Sequence, residues 1–140
     1  AWKKASEILG IANGSIWLYG LDVDSIYEVE EIKGGYQTKS VFKKAGVTLI
    51  DNSVMEKDKI YYVSPDETKL IMFDINTGED REIYTTPNKN IKILAAIGDN
   101  ILISEWVKDN EHVNYYDAVN DKLAKNYYIN NSGKVLYELD

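Results

Sequence analysis

The sequence has no cysteine, a single histidine and only two prolines among its 140 residues. Without cysteine there is no disulfide framework, no thiol nucleophile and no Cys-ligated zinc or iron–sulfur centre. One histidine, His112, excludes a multi-histidine metal site. No Gly-x-Ser-x-Gly elbow exposes a serine for His112 to activate, so the residue is read as a solvated strand-end histidine rather than a triad member. No apolar run approaches the ~20 residues of a membrane-spanning helix, and no N-terminal segment has the charged, apolar and small regions of a signal peptide. Basic charge is also scarce. The chain carries 16 Lys and Arg against 23 Asp and Glu, for a net charge of −7, which disfavours the polyanionic surfaces of nucleic acids and membranes. No cofactor is implied, and no motif names a substrate.

What is present is strand chemistry. Apolar residues make up 44% of the chain, too many for a disordered polymer, and eleven of the sixteen aromatics are Tyr. Val, Ile, Thr and Tyr cluster in short runs, as they do in strands. Pro65 and Pro87 fall between those runs, where no ladder donor is needed. Thirteen runs are read as strands: Ile8–Ala12, Ser15–Tyr19, Ser25–Glu30, Tyr36–Phe42, Val47–Asp51, Lys59–Val63, Lys69–Asp74, Arg81–Thr85, Ile91–Ile97, Asn100–Trp106, His112–Asp117, Leu123–Ile129 and Lys134–Leu139. Turn formers such as Asn13-Gly14, Lys33-Gly34-Gly35, Asn76-Thr77-Gly78 and Ser132-Gly133 separate them. One helical stretch is expected, near Ala1 to Ile8. Closely spaced strands with short polar turns predict an antiparallel all-β chain.

The strands repeat. Asn13-Gly14-Ser15-Ile16 aligns with Lys57-Asp58-Lys59-Ile60 and with Gly98-Asp99-Asn100-Ile101, at intervals of 44 and 41 residues. Each anchor opens an apolar run, and a second run then ends in a carboxylate at Glu30, Asp74 and Asp117, 44 and 43 residues apart. The expected units are residues 5–46, 47–90 and 91–132, within one all-β domain, with a remnant strand at 133–140. Four strands in about 42 residues is the period of a β-propeller blade. The best copy, Asp58-Lys59-Ile60-Tyr61-Tyr62 with Leu70 to Asp74 and Thr77-Gly78-Glu79, resembles bacterial propeller repeats of the TolB-like and prolyl-oligopeptidase-like kind. The Gly-His and Trp-Asp signatures of the WD family are absent. The alternative is a single β-sandwich or barrel. In the central runs both parities are apolar, as in Ile60-Tyr61-Tyr62-Val63, which suits sheets covered on both faces.

Three blades do not close a ring, which typically needs four to eight. The chain is therefore expected to self-associate or to belong to a longer parent chain. Its first residue, Ala1, is read as the start of a processed form or an excised domain.

Each weaker chemical candidate has a plainer role beside it. Asp74-x-Asn76-x-Gly78-x-Asp80 resembles a calcium loop, but an EF-hand would need Gly at Glu79 and Glu at Thr85, and the segment is also a good hairpin turn. Asp22/Asp24 and Glu30/Glu31 are carboxylate pairs of the kind glycosidases use, or simply acidic loop and strand residues. Gly34-Gly35 lacks the Lys-Ser/Thr of a phosphate loop. Asn13-Gly14-Ser15 and Asn130-Asn131-Ser132 fit the glycosylation sequon and are read as turns.

Blades bind with the loops of one face, here Gly20–Asp24, Ser64–Thr68 and Val107–Glu111, with Lys43–Gly46, Thr86–Asn90 and Asn130–Gly133 between units. The ligand-binding candidates are Asp22, Asp24, Trp106 and Asp109. Trp106, beside Glu105 and Asp109, offers a large aromatic among carboxylates for a peptide, sugar or cation, or else covers the end of the blade core. The resemblance implies a non-enzymatic binding or scaffold module in a bacterial envelope or secreted protein, engaging protein or glycan. The alternative is a gating or regulatory propeller fragment of a larger hydrolase.

Overall fold

A computed structural model describes residues 5–20, 24–44, 46–49, 52–87, 90–106 and 124–139. Among these residues every regular element is a strand, and the twelve strands form three antiparallel four-stranded sheets. The first sheet holds β1 (Ala5–Ala12), β2 (Ser15–Gly20), β3 (Ser25–Ile32) and β4 (Gly35–Lys43). The middle sheet holds β5 (Ser53–Glu56), β6 (Lys59–Val63), β7 (Lys69–Asp74) and β8 (Glu79–Thr85). The third holds β9 (Ile91–Ile97), β10 (Asn100–Trp106), β11 (Ala124–Asn130) and β12 (Val135–Leu139). Within each sheet the strands lie side by side in chain order. The sheets do not close into a barrel, and the arrangement fits a partial propeller-like or sandwich fold.

Tight turns dictate this order. At Asn13-Gly14 both residues have positive φ, 52° and 74°, the geometry of a two-residue hairpin whose twist matches its strands. Strand alternation then sends successive side chains to opposite faces, and two cores result. Between the first and middle sheets lie Trp17, Tyr19, Ile26 and Phe42 against Ile60, Tyr62 and Phe73, with the Phe42 ring edge-on to both Tyr62 and Phe73. Between the middle and third sheets lie Tyr61, Leu70, Met72 and Ile83 against Ile91, Ile93, Ile101, Ile103 and Ile129. The middle sheet is thus covered on both faces, as its unbroken apolar runs require.

The sheets approach one another through their first strands. β1 meets β5, and β9 meets β5 and β6. Gly10 permits the first approach, since a Cβ there would lie 3.1 Å from the Met55 sulfur. The fourth strands are mostly exposed.

Several expectations change. The segment expected to be helical is strand from Ala5 onward, because Ile8 and Ile11 pair with Leu18 and Ile16 of β2 and Leu9 packs against the first core. Val47–Asp51 is not a strand where it is described. Gly46 turns the chain at φ 81°, and Val47 and Leu49 bury in the first core as a connector. The first strand of the middle sheet is instead Ser53–Glu56. The remnant strand expected at 133–140, outside the three units, is instead the fourth strand of the third sheet: β12 pairs with β11, from Asn126 opposite Leu139 to Ile129 opposite Val135. The expected strand His112–Asp117 lies outside the described residues.

Candidate functional site

In a sheet of four up-and-down strands, the loop joining strands two and three shares an end with the connection leaving strand four. Backbone hydrogen bonds tie these segments together. The Lys44 N–H donates to the Asp24 carbonyl (3.0 Å), Thr86 to Thr68 (2.9 Å), Ile91 to Glu67 (3.1 Å) and Trp106 to Asn90 (3.4 Å). Among the described residues the expected loop side therefore brings to one end of the sheets Asp24, Lys43, Lys44, Gly46, Ser64–Thr68, Thr86, Pro87, Asn90 and Trp106, while residues 21–23 and the loop expected at Val107–Glu111 lie outside them. Asn130–Gly133 belongs to the other side. It is the hairpin between β11 and β12, and its Asn131 N–H donates to Asp99 in the β9–β10 turn (2.8 Å). The third sheet's use of 135–139 as its fourth strand is what moves that segment across.

Two of the four candidate ligand residues, Asp22 and Asp109, lie outside the described residues, as does His112. Asp24 is half-buried at the start of β3, where its carboxylate accepts the Ser25 hydroxyl at 3.1 Å. Trp106 is half-buried at the end of β10. Asp24 and Trp106 share the loop side but sit on the first and third sheets, with the middle sheet between them.

The loop of the middle sheet is held by one carboxylate. Asp66 accepts the Ser64 hydroxyl (2.7 Å), the Thr68 hydroxyl (2.7 Å) and the Thr68 N–H (3.2 Å). These hydrogen bonds stabilise the ionised form and lower Asp66 to about 2. Pro65 precedes it, and Glu67 turns at φ 64°.

Next to Trp106 in sequence, on the opposite face of β10, lies a polar cluster whose centre, Glu105, sequence reading named only as a carboxylate beside the ring. Glu105 is only 4% exposed. Its carboxylate accepts the Tyr84 hydroxyl at 2.7 Å and the Thr86 hydroxyl, joining the end of β8 to the end of β10 across the seam between two sheets. Burial first, and then the Glu105 charge, raise the Tyr84 and Tyr127 hydroxyls above their ordinary range. The available signal was a charged residue continuing the apolar run that begins at Ile101. The other seam has its own polar tie, in which the Tyr19 and Ser53 hydroxyls lie 2.7 Å apart. Asn52 completes the set. Its side-chain amide donates to the Ile91 carbonyl and accepts the Ile93 N–H, both at 2.8 Å, imitating a strand pair between the middle and third sheets.

On the opposite side the remaining candidates resolve as structure. Lys59 donates to Asp58 and to Asp74, both at 3.1 Å. Asn76 donates from its backbone to Asp74 (2.8 Å) and from its side chain to Asp58 (2.6 Å), and it accepts Asn13 from the first sheet at 2.8 Å. The segment resembling a calcium loop is thus an Asx turn whose carboxylate is held by an ammonium group, and the Lys59 bond lowers Asp74. Glu30 and Glu31 pair with Gln37 and Tyr36, so they point to opposite faces of the first sheet and do not form a carboxylate couple. Asn130 spends its side-chain oxygen on Ser132 and Lys134, as a turn residue does.

Among the described residues the loop side thus combines one loop fixed by hydrogen bonds, Ser64–Thr68, with the aromatic residue Trp106, whereas the opposite side consists of short, hydrogen-bonded turns. No protein-family model matches the chain, and no curated protein matches it.

Proposed function

We propose that the chain is a non-enzymatic, propeller-like binding or scaffold module that engages a protein or glycan through its loop side. In this reading it serves a bacterial cell envelope or secreted protein. The observation that carries the proposal is the contrast between the two sides. Bonds from Lys44 to Asp24, Thr86 to Thr68 and Trp106 to Asn90 extend each sheet's own strand ends on the loop side, the Ile91–Glu67 bond links the middle sheet to the third, and half-buried Trp106 stands at the end of β10. A loop fixed in advance, as Ser64–Thr68 is by Asp66, loses little freedom on binding, and an aromatic side chain supplies contact area at low entropic cost. Glu105 acts as a clamp between the ends of β8 and β10 rather than as a reactive acid, since both carboxylate oxygens already accept hydroxyls.

The test is a glycan array and a panel of purified envelope proteins probed with the native chain, followed by titration of any binder against Trp106→Ala and Lys59→Ala. Binding weakened at least tenfold by Trp106→Ala and unchanged by Lys59→Ala, on the opposite side, supports the loop side. Equal effects from both substitutions, or none from Trp106→Ala, overturn it.

A further inference from the structure

The repeat alignment assigns every sheet two distinct faces. One carries the position of Ile16 in the first sheet, Ile60 in the middle sheet and Ile101 in the third. The other carries Trp17, Tyr61 and Leu102. Inside the chain these faces meet in one sense only. The Trp17 face of the first sheet packs on the Ile60 face of the middle sheet, and the Tyr61 face of the middle sheet packs on the Ile101 face of the third. The chain therefore contains the same junction twice.

Among the described residues, one copy of each half is left open. On the first sheet the Ile16 face presents Ile8, Ile11, Ile16 and Leu18, which strand pairing places side by side. Ile11 is 73% exposed and Ile16 42%, whereas Ile60 and Ile101, at the same repeat position as Ile16, are fully buried. On the third sheet the Leu102 face forms a shallow depression of about 330 Å³ lined by Ala95, Ile97, Leu102, Tyr128, Tyr137 and Leu139. Its lining is wholly apolar, and Tyr137 is 63% exposed. Apolar patches of this kind mark association surfaces.

We infer that the open third-sheet face of one chain packs on the open first-sheet face of a second copy, at both ends, so that two chains complete a ring of six sheets. Three observations single out a second copy. The two open faces are the two halves of a junction that the chain already makes twice, so the new contact continues an interface present on the page. Each copy offers one half of each kind, so two copies leave neither half over. Six sheets also fall within the four to eight that close a propeller ring. A head-to-tail contact whose rotation closes gives a finite assembly, not a filament.

The experiment is sedimentation equilibrium on the native chain, with Ile11→Lys and Tyr137→Asp as variants at exposed positions that pack in neither internal core. The native chain should have a mass of about 32 kDa, twice its 16.0 kDa. Each variant alone should sediment as a single chain with an unchanged β-sheet circular dichroism spectrum. An equimolar mixture of the two should recover the double mass, because one of its two junctions joins unaltered faces and the other pairs Lys with Asp. A native chain that stays monomeric at its highest soluble concentration overturns the inference and leaves the faces to some other occupant, such as further sheets of a longer chain. Either variant remaining dimeric overturns the head-to-tail pairing in favour of like-to-like contact. An open series of masses overturns ring closure. The native measurement stands even where a variant fails to fold, and a failure of loop-side binding would leave all these outcomes unaffected.

Discussion

The middle sheet and the two that flank it share a pattern of apolar strands and tight turns but meet different surroundings. Ile60 and Ile16 occupy the same place in the repeat, after a two-residue turn and on the same face. Ile60 is sealed beneath the first sheet, whereas Ile16 faces outward. Tyr61 and Leu102 make the same contrast on the other face, with Tyr61 fully buried and Leu102 lining an open depression. Burial here is conferred by a neighbouring sheet and not by the strand itself. A repeat that carries the full apolar pattern to both of its ends therefore specifies one more junction than it makes alone.

The comparison can be broken within the first sheet. Trp17 faces the middle sheet, is 1% exposed and donates its indole N–H to the Ala12 carbonyl at 3.0 Å. Replacing it by Ala should cost about 3–5 kcal/mol in urea titration. Tyr36, 74% exposed on β4, should give a change within about 0.5 kcal/mol on the same substitution. Similar losses at both positions would mean that neighbouring sheets do not decide burial.

A smaller effect separates sheet faces from sheet ends. Asp66 lies in a loop and touches neither core, yet its hydrogen bonds hold it near 2, below its ordinary 3.8. A carboxylate depressed in the folded state stabilises fully above its unfolded value, and the contribution fades as the pH falls through the folded one. Urea midpoints of the native chain should therefore fall between about pH 4 and pH 2, and Asp66→Asn should flatten that part of the profile while leaving the apolar junctions intact. An unchanged slope in the variant would show that the loop contributes no such term.

Much of the fold was legible because hairpin repeats announce themselves locally. Turn pairs such as Asn13-Gly14 and Asn76-Thr77-Gly78 sit between apolar runs, and pairing follows chain order. What was not legible depends on contacts distant in sequence. Val47 and Leu49 read as a strand because they are apolar, but they are apolar in order to pack against the first core as a connector. Ser53–Glu56 was missed because four residues flanked by charge carry little pattern. The third sheet draws its fourth strand from Val135–Leu139, a pairing that strand spacing did not anticipate. Of the candidate site, Glu105 was named only as a carboxylate beside Trp106, and Asn52 was not named at all. Their roles exist only because β8 meets β10, and because the start of the middle sheet meets β9.

The most direct test is an alanine series at one repeat position, with Ile16→Ala, Ile60→Ala and Ile101→Ala compared by urea unfolding at two protein concentrations. Losses of about 2–5 kcal/mol are expected at Ile60 and Ile101, independent of concentration. At Ile16 the loss should be smaller at low concentration and grow as the second copy covers it. Three equal losses that ignore concentration would contradict the account.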